Sequence, residues 1–548
     1  MRNTLDRHLH ALVYLLAAAA FLPACPAAAA TPLPRARQEA ARAGQGPSHG
    51  EASLVVVLVV DQLRGDLLGR YADVFTGGLK RLLDEGLQFT NALHGHAATE
   101  TSPGHAAIST GVFPSRAGIP ANTWREGDRP DLRLVENVID MEESLTGLDG
   151  FPGASPRVLL RPGLADWIRD VDQEVRVVSV SGKARAAVLM AGKALGDVFW
   201  FDGRVGRFVT SSYYRDRNPL WLDRFNAEVM QAYRADSIWA STVPPGAEAL
   251  SAADTAHFEG DGIHTYFPHR YSQERVSPKT DDFFLWFETV PALDRATLQV
   301  ARLAVEERGM GQAEGRTDFL SVSLSQTDRV GHDYGPLSRE QMDNLLRLDR
   351  ELGEFLGFLD DRIGKEGYVL GLTGDHGVLT MPERLGKGRR LTVDDRSLLS
   401  DAATHAVREA RRSGRSDPGP FIARALASIP FVGPIFSHPD LRNGEAGDSM
   451  AVLFRHSLYP GRAGGLLSTY GVEMWWAEHI LDWGYPVGTT HGSPYRYDRW
   501  VPLILMGSGI EGGRVEDPVM PLDLAPTLAA LAGIPFPDDL DGKPLIRQ

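Results

Sequence analysis

Leu54-Val-Val-Val-Leu-Val-Val60 is a seven-residue apolar run, mostly β-branched, with no polar alternation. A strand that is apolar on both sides must be covered on both faces. That is the condition of a strand inside a parallel sheet flanked by helices. Similar runs recur at Val175–Val180, Phe319–Leu324, Tyr368–Leu372 and Val501–Met506. Helical patterns lie between them. The clearest opens at Ser338, with Gln341 three residues on as a capping box, and carries an apolar stripe at Leu345, Leu348, Leu352, Phe355 and Leu359. It leads into the Tyr368 run, giving a βαβ unit. A late helix is expected from about Leu522 to Ala532. The fold class is therefore α/β, with a central, mostly parallel sheet flanked by helices.

Two regions break the pattern. Residues 200–300 are rich in aromatics, Pro and Asp, and residues 390–480 mix a charged helical stretch with Gly/Pro-rich loops. Strong strand signals stand on both sides of each. They are expected to be insertions that cap the sheet of one catalytic domain spanning 51–548.

The first thirty residues read as a signal peptide: Arg2 and Arg7, an apolar run from Leu12 to Leu22, then Ala28 and Ala30 as an A-x-A cleavage signal. A second reading takes Leu22-Pro23-Ala24-Cys25 as a lipoprotein signal, with Cys25 acylated and the protein anchored in the outer membrane. Both export the protein, to the periplasm or beyond. Residues 31–50 read as a flexible leader. Cys25 is the only cysteine, so neither an internal disulfide nor thiolate chemistry is available. No other stretch reaches ~18 uninterrupted apolar residues, the length a membrane span needs. The net charge of -14 argues against nucleic acid as a partner. An anionic substrate would require a local positive site.

In open α/β sheets ligands bind beyond the carboxyl ends of the strands. Asp61 follows the first run. Asp328 follows the Phe319 run, with His332 four residues later. Asp375 and His376 follow the Tyr368 run, and His491 precedes the last one. Each has an ordinary reading alone. Asp61 would cap a helix starting near Leu63, Asp375-His376-Gly377 would be a polar turn, Asp328 and His332 would be surface residues, and His491 a satisfied loop histidine. Together, three carboxylates and three imidazoles without cysteine suit Zn²⁺ ahead of Mn²⁺, Fe or Mg²⁺.

Ala98-Thr-Glu-Thr101-Ser-Pro-Gly-His105, then Ser109-Thr110-Gly111, Pro114, Gly118-Ile119 and Asn122-Thr-Trp124, resembles the nucleophile region of the alkaline phosphatase superfamily. Thr101 is the matching nucleophile. Asp328-x-x-x-His332, Asp375-His376-Gly377 and Thr490-His491-Gly492 resemble its metal motifs in the same order. Asn122 and the pair Lys183-Ala-Arg185 resemble markers of the phosphate-irrepressible type of bacterial alkaline phosphatase. The sulfatase pattern C/S-x-P-x-R is absent. One departure is Ala117, where the family often has His in Pro-Ser-x-His-Gly-Ile; a change in the hydrogen bonding behind the site is expected there.

The resemblance implies an exported phosphomonoesterase that releases phosphate for scavenging. It implies two Zn²⁺, one held by Asp328, His332 and His491, the other by Asp61, Asp375, His376 and the Thr101 oxygen. Thr101 would form a phospho-threonine, with Asn122, Lys183 and Arg185 binding the phosphoryl group. Three carboxylates and an alkoxide balance two Zn²⁺, so Lys183 and Arg185 match the two charges of a monoester. A diester, with one charge, has less use for the pair. Three alternatives stay open: a phosphodiesterase or nucleotide pyrophosphatase on the same core, a phosphonate-ester hydrolase or other promiscuous member, and a lipid-anchored binding or scaffold protein on a dead enzyme fold.

Overall fold

The Leu54–Val60 run forms strand β1, with every residue buried. Its residues alternate between two cores. Leu54, Val56, Leu58 and Val60 enter a large cluster on one face, and Val55, Val57 and Val59 enter a second cluster on the other. The absence of polar alternation thus has its predicted cause. The computed structural model describes residues 52–126, 133–274, 282–444 and 448–546. The expected signal segment 1–30, Cys25 within it, and the leader 31–50 lie outside these residues.

Eight further strands complete the sheet: β2 (Leu87–Leu93), β3 (Val177–Ser181), β4 (Asp197–Asp202), β5 (Arg207–Val209), β6 (Asp318–Leu324), β7 (Tyr368–Thr373), β8 (Trp500–Gly507) and β9 (Gly513–Val515). Their order is β9-β2-β8-β7-β1-β6-β3-β4-β5. The centre is parallel: β1 pairs with β6 and β7, β6 with β3, and β3 with β4. The Val501–Met506 run departs from the parallel expectation. As β8 it runs antiparallel to both β7 and β2. An apolar run reports coverage of both faces, which an internal antiparallel strand shares.

Register places the chemistry. Val60 pairs with Leu324, Val59 with Thr373, and Ser181 with Ser323. Asp61, Ser325, Gly374 and Gly182 therefore leave the sheet at one level. Four helices matter to the site: α1 (Thr101–Thr110), α2 (Ala184–Ala191), α3 (Gln326–Tyr334) and α4 (Arg339–Ile363). The expected start of α4 is observed, with Ser338 Oγ accepting from the Gln341 backbone at 3.0 Å. The reciprocal half of the capping box is not made. The Gln341 amide instead donates to Thr327 O at 2.7 Å, tying α4 to α3. All five residues of the apolar stripe are buried. No helix starts near Leu63; the next one is Leu67–Tyr71, flanked by Asp66. That frees Asp61 from a capping role.

Aromatics from residues 200–300, among them Phe201, Phe208, Phe225 and Trp239, fill the larger core beside β1. Residues 391–483 contribute a core of their own, including Leu399, Leu426 and Trp476.

Candidate active site

Thr101 is the first residue of α1 and only 1% exposed. Two devices hold this helix end. Asn122 Oδ1 accepts from the Ser102 backbone at 2.8 Å, and Glu100 Oε2 accepts from the Asn122 backbone at 2.6 Å. Asn137 ties the pair by donating to Ser102 Oγ and Asn122 O. Asn122 therefore caps α1 through its side-chain oxygen, satisfying a free helical N–H. Its Nδ2 group makes no hydrogen bond among the described residues. Inside α1, a side chain at Gly104 would put its Cβ 2.3 Å from Asp375 O. Glycine at this point of the Thr-Ser-Pro-Gly-His motif lets α1 approach the loop after β7.

The structure brings together six of the seven predicted ligands, the three carboxylates and the three imidazoles. Asp328, His332 and His491 gather their ligand atoms within 4.8 Å, as do Asp61, Asp328 and His376. His332 Nε2 and His491 Nε2 lie 3.2 Å and 3.5 Å from Asp328 Oδ1. His376 Nε2 lies 3.4 Å from Asp61 Oδ1 and 3.6 Å from Asp375 Oδ2. Asp328 thus stands at the junction of both groups, a position the motif spacing did not reveal.

These donors fit a metal. The Nδ1 atoms of His332, His376 and His491 face the backbone carbonyls of Thr489, Gly377 and Thr99, at 2.9, 3.0 and 2.7 Å. A carbonyl only accepts, so each Nδ1 carries the proton and each Nε2 turns a lone pair to the cleft. Asp61 Oδ1, Asp375 Oδ2 and His376 Nε2 are buried without a hydrogen-bond partner. Leaving such atoms buried and unpaired is costly, whereas a cation in the cleft would satisfy them.

The electrostatics follow from the crowding. Burial raises Asp61 well above the usual carboxylate range, with Asp328 and Asp375 adding to the effect. Burial pushes Asp328 the same way, but Lys183, His332 and His491 outweigh it and hold it well below. Burial, together with His376 and His332, depresses His491.

Lys183 and Arg185 sit where β3 turns into α2. Lys183 is the extended residue before the helix, and its Nζ contacts Asp61 and Asp328. Arg185 Nη2 donates to Thr101 Oγ1 at 3.3 Å, while its Nε is buried without a partner. Both cations therefore reach the cleft, Lys183 on the carboxylate side and Arg185 at the threonine. Ala117 lies elsewhere, in the apolar cluster with Ala106, Ile119 and Trp124.

Sequence reasoning missed Gln62. Its backbone donates to Asp375 Oδ1 at 3.0 Å and its Nε2 to Asp328 Oδ1 at 2.7 Å. It is buried and holds φ at 65°, a conformation non-glycine residues seldom adopt. The signal was its place directly after Asp61. The motif's His105 gains a position as well, with Nδ1 2.8 Å from Thr101 O and 3.1 Å from Asp375 Oδ2.

Residues 55–419 match the type I phosphodiesterase / nucleotide pyrophosphatase family. The chain belongs to this family. Within the alkaline phosphatase superfamily, it is 31% identical over 526 residues to alkaline phosphatase PhoV of Synechococcus elongatus, covering 89% of this chain and 92% of that protein. It is also 31% identical over 529 residues to alkaline phosphatase PhoK of a Sphingomonas species, covering 89% and 90%. The crystal structure of alkaline phosphatase PafA superposes with a TM-score of 0.82 at 28% identity, covering 91% of this chain and 99% of that one.

Proposed function

We propose that this member of the type I phosphodiesterase / nucleotide pyrophosphatase family is an exported alkaline phosphatase that hydrolyses phosphate monoesters through a phospho-threonine. The observation that carries the reading is Thr101 Oγ1 at a helix start, hydrogen-bonded to Arg185 and beside two groups of metal-ligand donors. The names of the relatives PhoV, PhoK and PafA support the same activity.

Asp328, His332 and His491 would hold one Zn²⁺, and Asp61, Asp375, His376 and Thr101 the other. When bound, the two ions supply positive charge and lower the pKa of hydroxyls and water at the site. Thr101 Oγ gives up its proton and attacks phosphorus as the P–O bond to the ester oxygen breaks, and that oxygen takes up one proton and leaves as the free alcohol. Water then attacks the phospho-threonine, the Oγ–P bond breaks, and phosphate departs. Arg185 binds a non-bridging oxygen with its planar fork, Lys183 adds a point charge, and Asn122 Nδ2 donates a further hydrogen bond. Gln62 and His105 hold the ligand carboxylates in place. Two side-chain cations match a dianionic monoester better than a singly charged diester. Phosphate scavenging outside the cytoplasm follows from the expected signal segment. Among the described residues no helix is long and apolar enough to cross a membrane.

Acid quench of the metal-loaded enzyme during turnover of a monoester, followed by peptide mass analysis, tests the intermediate. The expected result is one phosphate on Thr101. Turnover with no phosphopeptide at that position under any quench time would remove the nucleophile assignment.

A further inference from the structure

Arg442, Arg455 and Arg462 line one cavity of about 350 Å³ in the 391–483 region, with His438, Leu458 and Tyr459. None of the three arginines has a carboxylate within 4.0 Å among the described residues. Arg455 Nη1 is shielded from solvent and lacks a hydrogen-bond partner. Guanidinium stays charged at any working pH, so three cationic groups line this cavity with no carboxylate to offset them. Arg462 is preset. It donates to Val158 O at 2.8 Å and to Gly118 O, and lies 5.1 Å from the ring centres of Trp124 and Tyr459. His438 is held by Glu473 at 2.9 Å. The volume is at the small end of ligand pockets, and Leu458 and Tyr459 give it an apolar side. In a chain of net charge -14, three guanidiniums without a carboxylate partner around one cavity are a local exception to the global sign.

We propose that this cavity is an anion site separate from the Thr101 centre, taking a phosphate-type dianion: free phosphate, or the phosphoryl group of a small organic phosphate. Arginine forks suit paired contacts with such oxyanions. The site is wired to the catalytic centre at two points. The strand Arg462–Ala463 pairs with Trp124–Glu126, two residues after Asn122. The helix Ser449–Ser457, which carries Arg455, receives the Ala97 and Ala98 N–H groups on Ser457 Oγ at 2.9 and 3.0 Å, ahead of Thr101.

The test is calorimetric titration of the full-length, metal-loaded Thr101→Ala chain with inorganic phosphate and with a hexose phosphate. Two phosphate sites per chain are expected. Arg442→Gln/Arg455→Gln should weaken one by at least about 10-fold, the loss of roughly one charge-assisted contact. That same site should survive Lys183→Ala/Arg185→Ala, which disables the catalytic centre alone, so failure of either site is read separately. Hexose phosphate binding there at least about 10-fold tighter than phosphate would assign the organic ester as ligand; the reverse assigns free phosphate. Arg442→Gln alone, at an exposed position, serves if the double variant misfolds, and unchanged kcat on a monoester in the otherwise wild-type enzyme certifies the fold. A single site abolished by Lys183→Ala/Arg185→Ala, or full binding in the Arg442 and Arg455 variants, would overturn the proposal.

Discussion

His491 Nδ1 donates to the carbonyl oxygen of Thr99 across 2.7 Å. A proposed metal ligand from the C-terminal part of the chain thereby fixes the backbone two residues before the proposed nucleophile. The bond also turns His491 Nε2 toward Asp328. Thr101 takes no part in this arrangement. Thr101→Ala is therefore expected to keep the fold and the metal content while kcat falls at least about 10³-fold, the scale of losing a nucleophile. Metal analysis, thermal unfolding and monoester turnover together check it. Activity near wild type would contradict the assignment.

Gln62 reaches Asp375 through its backbone and Asp328 through its amide. Gln62→Gly keeps the φ of 65° without strain and keeps the backbone bond to Asp375, while removing the side chain that reaches Asp328. Metal affinity, measured by competition with a chelator, is expected to fall about 10–100-fold, as when a ligand loses its supporting hydrogen bond. Equal affinity in variant and wild type would mean Asp328 is held by its other partners.

Away from the cleft, His269 is fully buried between Glu274 at 3.0 Å and Glu340 at 3.4 Å. Burial alone would lower its pKa, but hydrogen bonds and charge from the two glutamates outweigh that and push it up to about 9. The folded value lies above the ordinary 6.5, so the stabilisation is full below pH 6.5 and is lost as pH climbs through 9. Urea midpoints should fall across that window in the wild type and fall less in His269→Gln. Parallel curves would exclude this histidine as the source.

Much of the frame could be read from residue type. Apolar runs gave β1, β6 and β7, and the polar residues within a few positions of their carboxyl ends gave Asp61, Asp328 and Asp375. Direction could not be read, because Val501–Met506 is as apolar as a parallel strand yet pairs antiparallel. Strands β2 and β4 were not anticipated: β2 is only partly buried, and β4 is aromatic and flanked by Asp. Gln62 escaped because a backbone N–H and an amide leave no motif. The contact of Lys183 with Asp61 and Asp328 escaped because it depends on the register of β3 against β6 and of β6 against β1, which spacing along the chain does not encode.

The claim that Lys183 and Arg185 serve a dianionic phosphoryl group has a direct test. It is kcat/KM for p-nitrophenyl phosphate and bis-p-nitrophenyl phosphate, in the zinc-loaded wild type and in Arg185→Ala. The account predicts a strong wild-type preference for the monoester. It also predicts that Arg185→Ala costs the monoester about 10²–10³-fold and the diester much less. A wild-type preference for the diester, or equal losses on both substrates, would contradict it and move the chain to the phosphodiesterase side of its family.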